Sequence, residues 1–202
     1  MSDFIATLIL AHGAGAGSNS DFMQDMAKLL KVKRINVRLF DFDYMKTIQE
    51  TGKKRPPETI AKLQQQWQQQ ILSYSEELPL FIGGKSMGGR VASTIFEASS
   101  ALACICLGYP FHPPGKPEKL RTEHLENLNK PLLVVQGERD TFGNKAEIEQ
   151  YPLSNAIALR YLPDGDHSFK PRKASGITLE QNLQVAANEV ATFIQQQIQG
   201  LS

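Results

Sequence analysis

Leu80-Phe81-Ile82-Gly83-Gly84-Lys85-Ser86-Met87-Gly88-Gly89-Arg90 is the stretch from which the rest of the chain can be read. Residues 80–84 form a short apolar run of strand length, and residues 87–99 have helical spacing. The strand therefore runs straight into a helix through Lys85 and Ser86. Gly84-Lys85-Ser86-Met87-Gly88 fits the pattern G-x-S-x-G. A turn this sharp forces the serine into a strained backbone conformation that lifts its Oγ off the sheet edge. Glycines two before and two after are required because side chains there would collide with the neighbouring strand and helix. The N–H of Met87 opens the helix, where partial positive charge faces the same spot.

Outward from this turn, apolar runs at Ala6–Ala11, 36–42, 102–107, 132–136 and 156–162 read as strands. Helix-period segments lie between them at 18–31, 57–74 and, after the last strand, 178–198, with a short helix around Glu147. Continuous apolar strands alternating with helices predict an α/β fold, a mostly parallel sheet of about six strands covered by helices on both faces. Right-handed crossovers gather the strand-to-helix loops on one rim of that sheet. Those loops are 12–18, 43–56, 85–87, 109–121, 138–143 and 163–176. With 202 residues and no repeat or linker, the chain is expected to be a single domain over 1–202. The longest excursion, 109–129, is proline-rich and then expected to be helical, which leaves no substantial lid. The glutamine runs at 64–70 and 195–199 sit on expected helices and read as solvated faces.

Composition narrows the functional classes. Lys and Arg total 22 against 21 Asp and Glu, a balance far from that of a generic nucleic-acid binder. The hydrophobic share of 41% excludes a disordered chain and a membrane protein. Residues 1–10 lack a basic start and carry too short an apolar run for a signal peptide or a span. Cys104 and Cys106 lie two apart in an apolar run and read as small buried hydrophobes in a reducing compartment. A cytoplasmic protein is expected. A homo-oligomer is not indicated and stays open.

The chemistry centres on Ser86. A serine hydroxyl is a weak nucleophile and needs a base oriented by an acid. The chain order that goes with this turn is serine, acid, histidine. After the fifth strand comes Gln136-Gly137-Glu138-Arg139-Asp140, where Asp140 is the candidate acid and Glu138, nearer the strand, its rival. After the sixth comes Pro163-Asp164-Gly165-Asp166-His167-Ser168-Phe169, with His167 the candidate base. The oxyanion donors are expected to be the N–H of Met87 and that of Gly13 or Ala14, in the small-residue loop His12-Gly13-Ala14-Gly15-Ala16-Gly17. His12 reads as a residue that shapes this loop, His112 as a rim residue, and His124 as solvated in a charged helix.

These segments, in this order, resemble the α/β-hydrolase fold over nearly the whole chain. The chain is similar to a small lidless branch related to dienelactone hydrolases. It resembles more closely the KANL/Tex-type hydrolase-like family, which includes a testis-expressed protein and the hydrolase-like region of a scaffold subunit in a histone-acetyltransferase complex. The matching stretches are 83–90, His112-Pro113-Pro114-Gly115-Lys116, 136–140 and 165–169. The resemblance implies Ser86 as nucleophile, Asp140 as acid and His167 as base. It implies cleavage of an ester or thioester rather than a peptide, and no metal or cofactor. Dienelactone hydrolases proper resemble cysteine enzymes, so a serine at position 86 argues against their substrate. Because one branch of the closer family is a scaffold, a non-catalytic protein-interaction module on a hydrolase fold is the alternative.

The expected rim is rich in bases: Lys53, Lys54 and Arg55; Lys85 and Arg90; Lys116, Lys119 and Arg121; Lys170, Arg172 and Lys173. They suggest a small-molecule acyl substrate bearing an anionic group, with Lys85, His112 and Lys116 as candidate contacts, although solvated loop charges partly cancelled by Asp41, Asp43, Asp164 and Asp166 explain them as well. Two nucleotide-binding patterns fail. A phosphate loop ending at Gly84-Lys85-Ser86 needs a glycine where Pro79 stands. A dinucleotide fingerprint starting at Gly13 needs a glycine at Ser18.

Overall fold

The computed structural model describes residues 3–75 and 77–200. Six strands form one wholly parallel sheet: β1 (Ala6–Ala11), β2 (Ile35–Phe40), β3 (Leu80–Lys85), β4 (Ala103–Leu107), β5 (Leu132–Gly137) and β6 (Ile157–Leu162). Their spatial order is β2-β1-β3-β4-β5-β6, so the chain reverses direction across the sheet beside β1 and β3. Every residue of β1, β3 and β5 is buried, as continuous apolar runs demand of strands covered on both faces. The edge strands β2 and β6 are only half-buried.

The helices are α1 (Asp21–Val32), α2 (Asp43–Thr51), α3 (Ile60–Leu72), α4 (Met87–Ile95), the single-turn α5 (Lys145–Ile148) and α6 (Leu179–Gln199). Two cores result, one on each side of the sheet. On one side Met23, Met26 and Leu30 of α1 and Ala187, Val190 and Ile194 of α6 pack against Leu8, Leu10, Phe81 and Ile105. On the other, Trp67 of α3 and Val91 of α4 pack with Ile9, Ile82, Phe96 and Tyr109. No helix among the described residues is long and apolar enough to cross a membrane.

Several boundaries differ from expectation, each for a local reason. Ser18 stays outside α1 because its N–H and hydroxyl both donate to Asp41. Pro56 and Pro57 lie in an extended approach to α3, which starts after the N-cap Thr59. The helix after Ser86 ends at Ile95, followed by a turn in which Ser99 N–H donates to the Phe96 carbonyl. Residues 43–51, expected as loop, form α2. Tyr44 and Met45 are buried there, and Gly52 ends the helix in the left-handed conformation at φ 68°. The excursion at 109–129 contains only one 3₁₀ turn, Glu123–Leu125, instead of a helix. Phe111, Thr122 and Leu125 within it are buried.

Candidate active site

Ser86 sits between β3 and α4 with φ 49° and ψ −115°, a region that side-chain-bearing residues rarely adopt. Its N–H donates to the Leu107 carbonyl of β4 at 3.0 Å, which pins the turn. The glycines around it are there for contact. A Cβ on Gly84 would lie 2.5 Å from the Ala11 carbonyl oxygen, and one on Gly88 would lie 2.5 Å from the same atom and 2.6 Å from that of His12. Helix, turn and β1 therefore approach at backbone distance.

Three separate loops bring their side chains to this point. His167 Nε2 is 2.8 Å from Ser86 Oγ, and His167 Nδ1 is 2.7 Å from Asp140 Oδ2. The ionised carboxylate only accepts, so Nδ1 carries the proton and the bare Nε2 accepts from the serine hydroxyl. Asp140 is fully buried and held by three donors: Phe142 N–H on Oδ1 at 2.8 Å, and Gln136 Nε2 at 2.9 Å together with His167 on Oδ2. Gln136 is itself anchored, accepting from Tyr109 N–H and donating to the carbonyls of Tyr109 and Gly143. The ring of Phe142 lies over the His167 imidazole, centroids 4.2 Å apart.

The small-residue loop after β1 is locked from its buried side. Phe42 N–H donates to His12 Nε2, which fixes the proton on Nδ1, and Nδ1 donates to the Gly13 carbonyl at 2.6 Å. Burial lowers the His12 pKa, keeping the ring neutral for this role. The Tyr44 hydroxyl donates to the carbonyls of Ala14, at 3.1 Å, and Gly13, at 3.4 Å. In a trans peptide the N–H points opposite to the carbonyl. The Ala14 N–H, opposed to the Gly13 carbonyl, thus faces away from His12 and Tyr44. A cleft of about 330 Å³ opens beside this loop, lined by Gly13, Ala14, Phe22, Met23, Lys85, Ser86, Phe142 and His167 among others.

A family model described as an alpha/beta hydrolase domain matches residues 5–195. The chain belongs to the alpha/beta hydrolases. This alpha/beta hydrolase superimposes on Est1E from Butyrivibrio proteoclasticus with a TM-score of 0.68 and 14% identity, over 97% of this chain and 89% of that one. A dienelactone hydrolase from Anabaena variabilis gives 0.67 and 18%, over 96% and 87%. The esterase domain of a Rhodothermus marinus protein gives 0.66 and 14%, over 95% and 87%. At these identities the likeness is one of fold.

Of the residues singled out from sequence, Ser86, Asp140 and His167 come together, with Gly13, Ala14 and Met87 around the serine. The rival acid Glu138 is turned elsewhere, accepting from Asp164 N–H at 2.9 Å. The three substrate contacts expected from charge fare differently. Lys85 lines the cleft, but its Nζ donates to the His167 carbonyl at 2.7 Å. His112 is buried away from the cleft, its Nδ1 bound to the Pro113 carbonyl, because the 109–129 excursion packs it inward. Lys116 is exposed in a turn outside the cleft lining. His124 is not simply solvated: its Nε2 is 2.9 Å from Ser93 Oγ. Sequence reasoning passed over Gln136, Phe142 and Tyr44. Gln136 had a readable signal, a lone amide in the apolar run 132–136. Phe142 and Tyr44 had none, since their roles depend on how two loops fold back.

Proposed function

We propose that this alpha/beta hydrolase is a serine hydrolase that cleaves a small ester or thioester through an acyl-enzyme. The observation that carries this is the unbroken chain Ser86 Oγ–His167–Asp140, with spacings of 2.8 and 2.7 Å. Ser86 Oγ attacks the carbonyl carbon while His167 Nε2 takes its proton. The tetrahedral oxyanion is met by the N–H of Met87 and that of Ala14 or Gly13. The C–O or C–S bond then breaks, and the leaving group departs with the proton from Nε2. Water repeats the sequence on the acyl-serine, giving its proton to His167 and releasing the carboxylic acid. Asp140 holds the imidazole in the productive tautomer throughout.

Among the described residues Lys85 is the one Lys or Arg that lines the cleft, and its Nζ is spent on His167. Glycine, alanine and aromatic walls favour a neutral acyl group over the anionic one expected from the rim. The motif likeness at 83–90 and 165–169 supports membership in the KANL/Tex-type branch, and two unpaired buried cysteines support a cytoplasmic setting. Labelling by a fluorophosphonate probe, abolished in Ser86→Ala, is the expected result, with short neutral esters hydrolysed faster than anionic ones. A folded wild-type protein that resists the probe and all esters would instead point to a non-catalytic interaction module.

A further inference from the structure

Lys85 occupies the variable position immediately before the nucleophile, and its surroundings are built around its ammonium. The residue is 9% exposed. Nζ lies 5.4 Å from the ring centre of Phe22 on α1 and 5.8 Å from that of Phe169. Aromatic faces attract a cation at this range. Its hydrogen-bond acceptor is the backbone carbonyl of His167, at 2.7 Å. Gly108, at φ 67° just after β4, leaves room for this contact: a Cβ there would lie 2.8 Å from Nζ and 3.1 Å from the His167 carbonyl oxygen.

The flanks of the His167 loop are tied elsewhere. Asp166 Oδ1 accepts from the N–H groups of Ser168 and Lys170, and Asn182 Nδ2 donates to the carbonyls of Pro163 and Phe169. Asp164 binds Arg139 and Arg172. The carbonyl of His167 itself has no donor but Lys85 among the described residues. The peptide group that follows the imidazole is thus held at both ends, its Ser168 N–H by Asp166 and its His167 carbonyl by Lys85, the residue directly adjoining the serine that the imidazole must meet.

We infer that Lys85 is a positioning residue, a cationic clamp on the His167 peptide that sets where the imidazole stands between Ser86 and Asp140. This rests on the acyl-transfer reading above. A misplacement of about 1 Å at a reacting group costs roughly a hundredfold in rate. Substrate binding, by contrast, is expected to change little, because Nζ is engaged by the His167 carbonyl. The charged groups acting on Nζ are Asp140, from the loop after β5, and Asp166, from the His167 loop; both favour the ammonium. α1 contributes Phe22 and the loop after β1 contributes Gly13, neither charged. Burial outweighs the two acids and lowers the Lys85 pKa to about 8. Raising the pH through that point converts a charged donor into a neutral one, a bond about half as strong.

The test compares wild type with Lys85→Met and Lys85→Gln, using p-nitrophenyl acetate kinetics from pH 6 to 10 and imidazole ¹⁵N–¹H spectra. Both variants are expected to fold, with Lys85→Met melting no lower than wild type at pH 7. Their kcat is expected to fall about ten- to a hundredfold, with KM changed less than about threefold. Wild-type kcat is expected to decline above about pH 8 and the variants to lack that decline. The His167 imidazole signals should shift while those of His12 and His124 stay. Unchanged kcat, or a loss confined to KM, with His167 signals in place overturns the clamp and leaves the hydrolase reading standing. A wild type inert to esters and to the fluorophosphonate, with His167 signals that still move in Lys85→Met, overturns the hydrolase reading and leaves the clamp.

Discussion

Asp140→Asn separates the charge of the orienting group from its shape. The carboxylate takes Phe142 N–H on one oxygen, and Gln136 Nε2 and His167 Nδ1 on the other. An asparagine offers one oxygen and one NH₂. If its oxygen keeps the backbone N–H of Phe142, its NH₂ confronts two donors. Gln136 cannot turn its amide over to help, because its oxygen accepts from Tyr109 N–H and its nitrogen serves two further carbonyls. The least costly relief is a change of tautomer at His167, so that Nδ1 accepts from the new amide. Nε2 then bears the proton and cannot take one from Ser86. The remaining donor conflict with Gln136 leaves a buried group unpaired, at about 1–3 kcal/mol of stability. The wrong tautomer should lower kcat by about 10⁴, equivalent to roughly 5.5 kcal/mol of barrier. Steady-state hydrolysis of p-nitrophenyl acetate measures the rate, and thermal melting confirms the fold. A folded Asp140→Asn protein with kcat within tenfold of wild type would refute the role given to the carboxylate.

Three further outcomes follow from the geometry. Gly83→Ala puts a Cβ 2.0 Å from the Ile105 carbonyl oxygen on the adjoining strand, where only backbone could yield. We expect a loss of about 3 kcal/mol or more and a melting temperature lower by roughly 6–12 °C; a melt within 2 °C of wild type would mean that β3 and β4 can part without cost. Tyr44→Phe removes the hydroxyl that ties down the Ala14 and Gly13 carbonyls. One hydrogen bond is worth about 1 kcal/mol, so kcat should fall about five- to tenfold, and an unaltered kcat would show that the loop needs no such tie. Asp164, on the His167 loop, has its pKa lowered to about 2, chiefly by the bonds from Arg172. A carboxylate shifted down stabilises the fold above its ordinary range near 4 and loses that contribution as the pH falls toward 2. Wild-type melting temperature should therefore drop between pH 4 and 2 more steeply than that of Asp164→Ala; parallel curves would place the acid sensitivity elsewhere.

The sheet and the Ser86 turn were legible because one kind of constraint dominates each. Strands buried on both faces must be apolar throughout, and the turn at 84–88 tolerates no Cβ at its glycines. The positions of Asp140 and His167 followed from crossover handedness, which fixes the rim on which each loop emerges. α2 was missed since its single buried flank, Tyr44 and Met45 with Ile48 beside them, is interrupted by polar residues that resemble loop composition. Charge was the least informative guide. Lys85, His112 and Lys116 share a rim in sequence terms, yet one lies under the loop, one is buried and one faces solvent. Where a side chain goes from a loop depends on packing partners far along the chain, such as Phe22 and Phe169 around Lys85, and no local pattern encodes that.

Local cost is gathered at the site. Of the four non-glycine residues at positive φ among the described residues, Ser86 is one, and Asp164 and Phe169 flank His167. Such conformations cost on the order of 1–3 kcal/mol each and persist only where the surroundings enforce them. Lys85 adds a further cost. Its pKa of about 8, against an ordinary 10.5, means that the folded chain holds this ammonium at neutral pH at roughly 3 kcal/mol. The unfolded chain keeps the proton up to a higher pH, so this cost is full below about pH 8 and is relieved as the pH rises toward 10. A residue kept only for packing would carry no such charge. Methionine at position 85 would fill the space between Phe22 and Phe169 without it, at the expense of one unpaired carbonyl worth about 1–2 kcal/mol. The balance favours the variant by about 1–2 kcal/mol, or some 2–8 °C in melting temperature near pH 7. Repeating the melt at pH 10, where wild type no longer holds the charge, should shrink or reverse that gap. A gap that stays constant with pH would show that the ammonium is not what the fold is enduring, and the clamp would lose its energetic basis.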